Sequence, residues 1–210
     1  MTTPTTELLP PSFRPVSELA ARSIDWLWPG RLALGKLAVL DGDPGLGKLL
    51  VTLDLCARLS TGRPFPDGSA GPGASGAIVL NGEDGDEDTI RPRLQTLGAD
   101  LERVFIPYRD RDGRGEPLRF PAHVQVLEEA LRRTAARLIV VDPLLAFLDV
   151  CVIPTSDQSV RRGLAPLMRL AEQHACAVLL VRHLNKRPAP GPPTGAAAPS
   201  ASWLRAVRAG

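Results

Sequence analysis

Apolar residues along this chain follow two different spacings. Four short, nearly unbroken apolar runs stand out: Leu37-Ala38-Val39-Leu40, Ala77-Ile78-Val79-Leu80, Leu138-Ile139-Val140-Val141 and Ala177-Val178-Leu179-Leu180-Val181. Runs of this length without alternation suit strands buried on both faces. Between them the apolar positions recur at helical spacing, through Leu50, Leu53, Cys56 and Ala57, over Thr89–Leu97, over Val124–Ala136 and over Ser159–His174. In the last of these Leu164, Leu167, Met168 and Ala171 line one face. Strands separated by helices predict an α/β fold, a mainly parallel sheet with helices on both faces. A short helix is expected near Val16–Arg22, and a Gly/Pro-rich connector occupies residues 62–76. The pattern divides the chain into a flexible lead-in over residues 1–22, one domain over 23–186, and a tail over 187–210. Proline, alanine and glycine dominate that tail, which predicts disorder.

The first strand runs into Gly42-Asp43-Pro44-Gly45-Leu46-Gly47-Lys48-Leu49, and a helix is predicted to follow. This strand–loop–helix context fits the phosphate-binding P-loop, G-x-x-x-x-G-K-[ST], at every fixed position except the last. Glycines at 42, 45 and 47 are expected to release the backbone so that successive N–H groups face an anionic phosphate at a helix N-terminus. Lys48 adds a point charge for the outer phosphates. Position 49 ordinarily supplies a hydroxyl to Mg²⁺, and leucine offers the metal no oxygen. Thr52, most of a helical turn further on, is a poor substitute. The implied ligands are ATP and Mg²⁺.

The remaining strands also end in polar residues, at the edge where open α/β sheets bind ligands. Asp142 closes the third run as a carboxylate delivered by a buried strand toward water-bound Mg²⁺, the Walker B arrangement. Glu83 follows the second run in Asn81-Gly82-Glu83-Asp84, where a carboxylate can orient an attacking water as general base. Asp84, Asp86, Glu87 and Asp88 crowd the same segment, so a solvated acidic loop is the competing reading. His183 lies in Arg182-His183-Leu184-Asn185-Lys186, directly after the fourth run, where a sensor of the terminal phosphate belongs.

These motifs, together with Thr89-Ile90-Arg91-Pro92-Arg93-Leu94, Val140-Val141-Asp142-Pro143-Leu144 and Ser156-Asp157-Gln158-Ser159-Val160-Arg161-Arg162, resemble the RecA-type AAA ATPases related to the RepA hexameric replicative helicase of plasmids. The likeness covers roughly residues 20–186. It implies a RecA-like P-loop core in which Glu83 activates water, Asp142 supports Mg²⁺, His183 senses the γ-phosphate and Lys48 grips the phosphates. It also implies a ring or filament of identical subunits acting on DNA, with single-stranded DNA as a partner, in replication or recombination. Two departures mark this chain. Leu49 replaces the family's serine or threonine, a degenerate Walker A motif. After Lys186 the family continues into a final core strand and an arginine that completes a neighbour's active site, whereas here Arg187-Pro188-Ala189-Pro190-Gly191-Pro192-Pro193 follows. The expectation is a truncated or out-of-frame C-terminus that leaves the P-loop strand at a sheet edge. Both departures would impair turnover, Arg187, Arg205 and Arg208 being arginines without a motif.

Composition narrows the alternatives only slightly. A formal net charge of +2 is too mild to argue for nucleic acid. Cysteines at 56, 151 and 176 lack metal-ligand spacing and read as thiols in a reducing compartment, two of them buried. The N-terminus lacks a basic region followed by an apolar stretch, and no apolar run reaches membrane length, so a cytoplasmic protein is expected. Trp26 and Trp28 either pack or stack on an adenine. The segment from Leu148 to Gln158 is either a loop over the nucleotide or a partner contact, and Arg161 and Arg162 either meet phosphate or face solvent. Three functions compete: an ATP-driven motor on DNA, a phosphotransferase, and a non-hydrolysing nucleotide-dependent interaction or regulatory module. A kinase gives no reason for Glu83, whereas Leu49 and the missing strand favour the module.

Overall fold

The computed structural model describes residues 13–108 and 118–183, the last of them by its backbone alone. Among the described residues seven strands follow in chain order: β1 (Trp26–Trp28), β2 (Leu32–Ala33), β3 (Leu37–Gly42), β4 (Gly76–Asn81), β5 (Val104–Phe105), β6 (Ala136–Asp142) and β7 (Ala177–His183). The helices are α1 (Lys48–Thr61), α2 (Arg91–Thr96), α3 (Val124–Thr134) and α4 (Asp157–His174). A five-stranded sheet has the order β3-β7-β6-β4-β5 with every pairing parallel. β1 and β2 form a separate antiparallel pair.

Alternation along the central strands assigns each side chain to one of two cores. Ile78, Leu80, Ile139, Val141, Val178 and Leu180 pack against α3 and α4 through Leu127, Leu131, Leu164, Leu167 and Leu170. Ala77, Val79, Leu138, Val140, Ala177, Leu179 and Val181 point the opposite way, against Leu53, Leu55, Cys56 and Leu59 of α1 and Leu94 of α2. The apolar runs have no alternation in sequence because both faces are covered. β3 differs: Ala38, Val39 and Leu40 are only half-buried. Among the described residues it has a single neighbour, β7, and so forms one edge of the sheet.

The sheet is the α/β fold expected from the sequence, with several local differences. The helix expected near Val16–Arg22 reduces to one 3₁₀ turn over Val16–Glu18 that buries nothing, and without an apolar face it has no tertiary support. Before α2 the backbone makes a single π-type turn, Asp86–Ile90, in which Gly85 O accepts from Thr89 N and Ile90 N. The residues flanking Trp28 form a hairpin, β1 against β2. Trp28 stacks on Phe65 at 5.1 Å with the Arg31 guanidinium over its ring at 4.9 Å, and its indole Nε1 donates to Asp67 at 2.9 Å. That cluster ties the connector after α1 to the hairpin, so this tryptophan packs. The segment from Leu148 to Gln158 is seated on α4, where Val152 is buried and meets Gly163. The tail over 187–210 and its arginines lie outside the described residues.

Candidate functional site

Parallel register brings the ends of the strands to one edge. Val39, Leu180, Val141 and Leu80 form one row across four strands. One step further Asn81 pairs with Asp142, and three steps beyond the row Gly42 pairs with His183. The P-loop, Asp142, the Glu83 turn and the backbone of His183 therefore share the C-terminal edge of the sheet. Parity decides which face each side chain takes. Asn81 and Asp142 follow Val79 and Val140 onto the α1 face, the face of the P-loop helix. Asp41 and Arg182 follow Val39 and Leu180 onto the other, where the Arg182 guanidinium makes a two-point contact to the Asp41 carboxylate at 2.7 and 3.3 Å. Of the polar residues after the fourth run, Arg182 is thus directed away from the P-loop. Leu184 to Lys186, and the side chain of His183, lie outside the described residues.

Within the loop, Gly45 and Gly47 have φ of 81° and 78°, the left-handed region where a side chain is strained. Gly42 departs from the expectation made for all three glycines. It ends a strand, and a Cβ there would meet Leu46 Cδ1 at 3.4 Å and Lys48 Cδ at 3.5 Å, ordinary contacts, so backbone angle does not demand glycine at 42. Helix α1 begins at Lys48 behind Gly47, with no side-chain cap and no acidic residue in its first turn. Its leading N–H groups thus face the loop with neither a capping side chain nor an acidic residue of the helix's own first turn beside them.

Lys48 is 7% exposed, and its ammonium donates to the carbonyls of Gly42 and Asp43, both at 2.8 Å. These neutral acceptors hold a buried cation in place without neutralising it. Leu49 is half-buried and packs on the α1-side core, while the Thr52 hydroxyl turns back to the Leu49 carbonyl at 2.9 Å. Neither presents an oxygen to a metal beside the phosphates. Asp142 is 6% exposed at the end of β6. Among the described residues no group of three or more His, Cys, Asp and Glu side chains is arranged to cage a metal. Mg²⁺ in phosphoryl-transfer sites keeps waters and phosphate oxygens and takes only one or two protein carboxylates. The donor set therefore fits a triphosphate well and its metal with one protein ligand, Asp142.

Glu83 is exposed on a turn that leaves β4, and the segment behind it is only partly solvated: Asp84 and Asp86 are half-buried. The turn is fastened to the site from both sides. Gly82 N donates to Asp142 O at 2.8 Å, and Asn81, 2% exposed, bonds the backbone of Glu83 and Asp84. Asn81 is a residue of this site to which no motif in the sequence points. Its cue was the Asn-Gly pair at the end of an apolar run, since asparagine commonly closes a turn on its own backbone.

The fold and this site together define a P-loop protein of the RecA type. The chain belongs to the AAA domain family, whose pattern matches residues 3–189. It is similar to the DNA repair protein RadA of Halalkalibacterium halodurans, 22% identical over 175 residues, covering 82% of this chain and 33% of that protein. Against the DNA repair protein RadA of Streptococcus pneumoniae it is 23% identical over 159 residues, covering 75% of this chain and 32% of the relative. The chain thus spans about one third of the length of the curated relatives it matches. No helix among the described residues is long and apolar enough to cross a membrane.

Proposed function

We propose that this protein is a nucleotide-binding RecA-type ATPase core that couples ATP to action on DNA, in repair, recombination or replication, within the cytoplasm. The observation that carries the reading is the convergence of a glycine loop, a buried lysine and a buried aspartate on one sheet edge. In this reading the N–H groups of residues 43–48 and the Lys48 ammonium bind the phosphates. Lys48 exchanges its contacts with Gly42 O and Asp43 O for phosphate oxygens. Asp142 holds Mg²⁺, Glu83 takes the proton of the attacking water, and His183 reports the terminal phosphate. Mg²⁺, when bound, neutralises charge developing on the phosphoryl oxygens. The likeness to DNA repair protein RadA supports DNA as the partner, and a ring or filament of identical subunits, as in RepA-related helicases, is the assembly this reading implies.

Leu49 favours a second reading, a module that binds nucleotide and does not hydrolyse it. A leucine packed on the core gives Mg²⁺ one protein oxygen fewer. Turnover measured with and without single-stranded DNA separates the two. Stimulation by DNA supports the motor; binding without turnover in either condition supports the module. Leu49→Ser is expected to raise Mg²⁺-dependent ATP affinity, and equal Mg²⁺ dependence in the two proteins would contradict the coordination argument.

A further inference from the structure

Asn81 sits where two constraints meet. It is the last residue of β4, lies opposite Asp142 in register, and directs its side chain to the same face as that carboxylate. Both groups of its amide are used locally. Oδ1 accepts from Asp84 N at 3.2 Å and, at the longer distance of 3.4 Å, from Glu83 N, while Nδ2 donates to Asp84 O. At 2% exposure the amide has little water to compete for these bonds.

We propose that Asn81 is a positioning residue that holds the turn carrying Glu83 beside Asp142, an inference that rests on the reading of Glu83 as general base. The turn has few other ways to settle. Gly82 is wedged so that a Cβ would lie 2.8 Å from Ala146 Cβ and 3.4 Å from Phe147 Cε2, which blocks movement toward the α3/α4 side. Its N–H is committed to Asp142 O. On the other side the Asn81 amide closes the turn, so Glu83 leaves the sheet in one direction. The chemistry of the amide matters as well as its shape. A carboxylate at 81 would stand one strand spacing, about 4.8 Å, from the buried Asp142 carboxylate, and two like charges so placed oppose each other's ionisation. Asparagine supplies the same acceptor without the charge and adds a donor for Asp84 O.

The test compares native protein with Asn81→Ala, Asn81→Ser, Glu83→Gln and the Asn81→Ala/Glu83→Gln double variant, all in the full chain. It measures steady-state ATP turnover, affinity for a fluorescent ADP analogue, and amide hydrogen exchange. Asn81→Ala is expected to lower kcat on the order of 10²-fold, the loss that misplacing a catalytic group produces, with nucleotide affinity unchanged. Serine retains an acceptor for the turn amides and is expected to recover part of that loss. In the Glu83→Gln background Asn81→Ala is expected to reduce kcat no further. The amides of Glu83 and Asp84 should exchange faster in Asn81→Ala while those of Ile78 to Leu80 keep their protection. Unaltered exchange at Glu83 and Asp84, or a kcat loss that persists in the Glu83→Gln background, overturns the proposal. Native turnover by Glu83→Gln overturns the general-base assignment itself, and with it the role of Asn81 in catalysis. If native protein shows no turnover, faster exchange at Glu83 and Asp84 in Asn81→Ala supports the tether and unaltered exchange overturns it.

Discussion

Lys48 places a buried ammonium between two loop carbonyls in a position that an anion can share. Carbonyls hold the cation without compensating its charge, and the first turn of α1 carries no acidic residue. The cysteines make a different use of burial. Cys56 and Cys176 lie inside the cores, and desolvation pushes their thiols up from 9.0 to about 12 and about 11. Cys151 is exposed, although hydrogen bonding to Asp149 raises its thiol too. A disulfide-exchange reagent at neutral pH is therefore expected to label Cys151 alone in folded protein, and all three thiols after denaturation. The sign of the linkage follows from the raised values in the folded state. The stability carried by the neutral buried thiols is complete below about pH 9 and is lost as pH rises toward about 12, because only the unfolded chain ionises easily in that window. Urea denaturation at pH 8 and pH 10 should show the lower midpoint at pH 10; equal midpoints would mean that the thiols ionise alike in both states.

At the scale of elements, α4 combines two positions with opposite expected effects. Pro166 lies inside the helix and removes one backbone hydrogen bond, an arrangement worth roughly 3 kcal/mol in an unconstrained helix. Pro166→Ala is expected to raise the unfolding free energy by about 1–3 kcal/mol. Gly163 is also helical, so alanine gains about 1 kcal/mol of propensity there. Its Cβ, however, would lie 2.8 Å from Val152 Cγ2 and 3.3 Å from Cγ1, on a side chain with little rotamer freedom. Overpacking of this kind costs about 1–3 kcal/mol and outweighs the propensity. Gly163→Ala should therefore lower stability in equilibrium unfolding; a rise would show that the Leu148–Gln158 segment yields without cost. The same elements show what the sequence makes legible. β4, β6 and β7 were readable because burial on both faces writes an unbroken apolar run, β3 because its run is equally unbroken although half-buried at the sheet edge, and α3 and α4 because one buried face writes a helical period. β5 was not, since two residues beside β4 carry no period, and its pairing of Ala77 with Val104 is decided by tertiary contact. That the glycine loop, Lys48 and Asp142 follow strands was legible from the apolar runs before them. The fastening of the Glu83 turn by Asn81 was not, because its bonds fall within a segment whose composition reads as acidic loop.

For the whole molecule, the arrangement of the sheet concentrates polar chemistry at one edge and leaves β3 at one side, half-buried, with β7 as its neighbour among the described residues. Exposed Leu46, Leu50 and Val51 stand in the P-loop and the first turn of α1, so the site borders an apolar surface. A ligand that binds only the folded chain raises its apparent stability with concentration, by about 2.7 kcal/mol at a hundred times Kd. ATP is therefore expected to raise the melting temperature progressively, with Lys48→Ala showing little or no shift. The most direct test of the central claim, that residues 42–48 grip a triphosphate, is calorimetric titration of ATP and ADP at millimolar concentrations into native protein and Lys48→Ala. Saturable binding by the native protein that is lost or strongly weakened in Lys48→Ala is the expected result; no heat of binding in native protein, or equal affinity in both, would contradict the account.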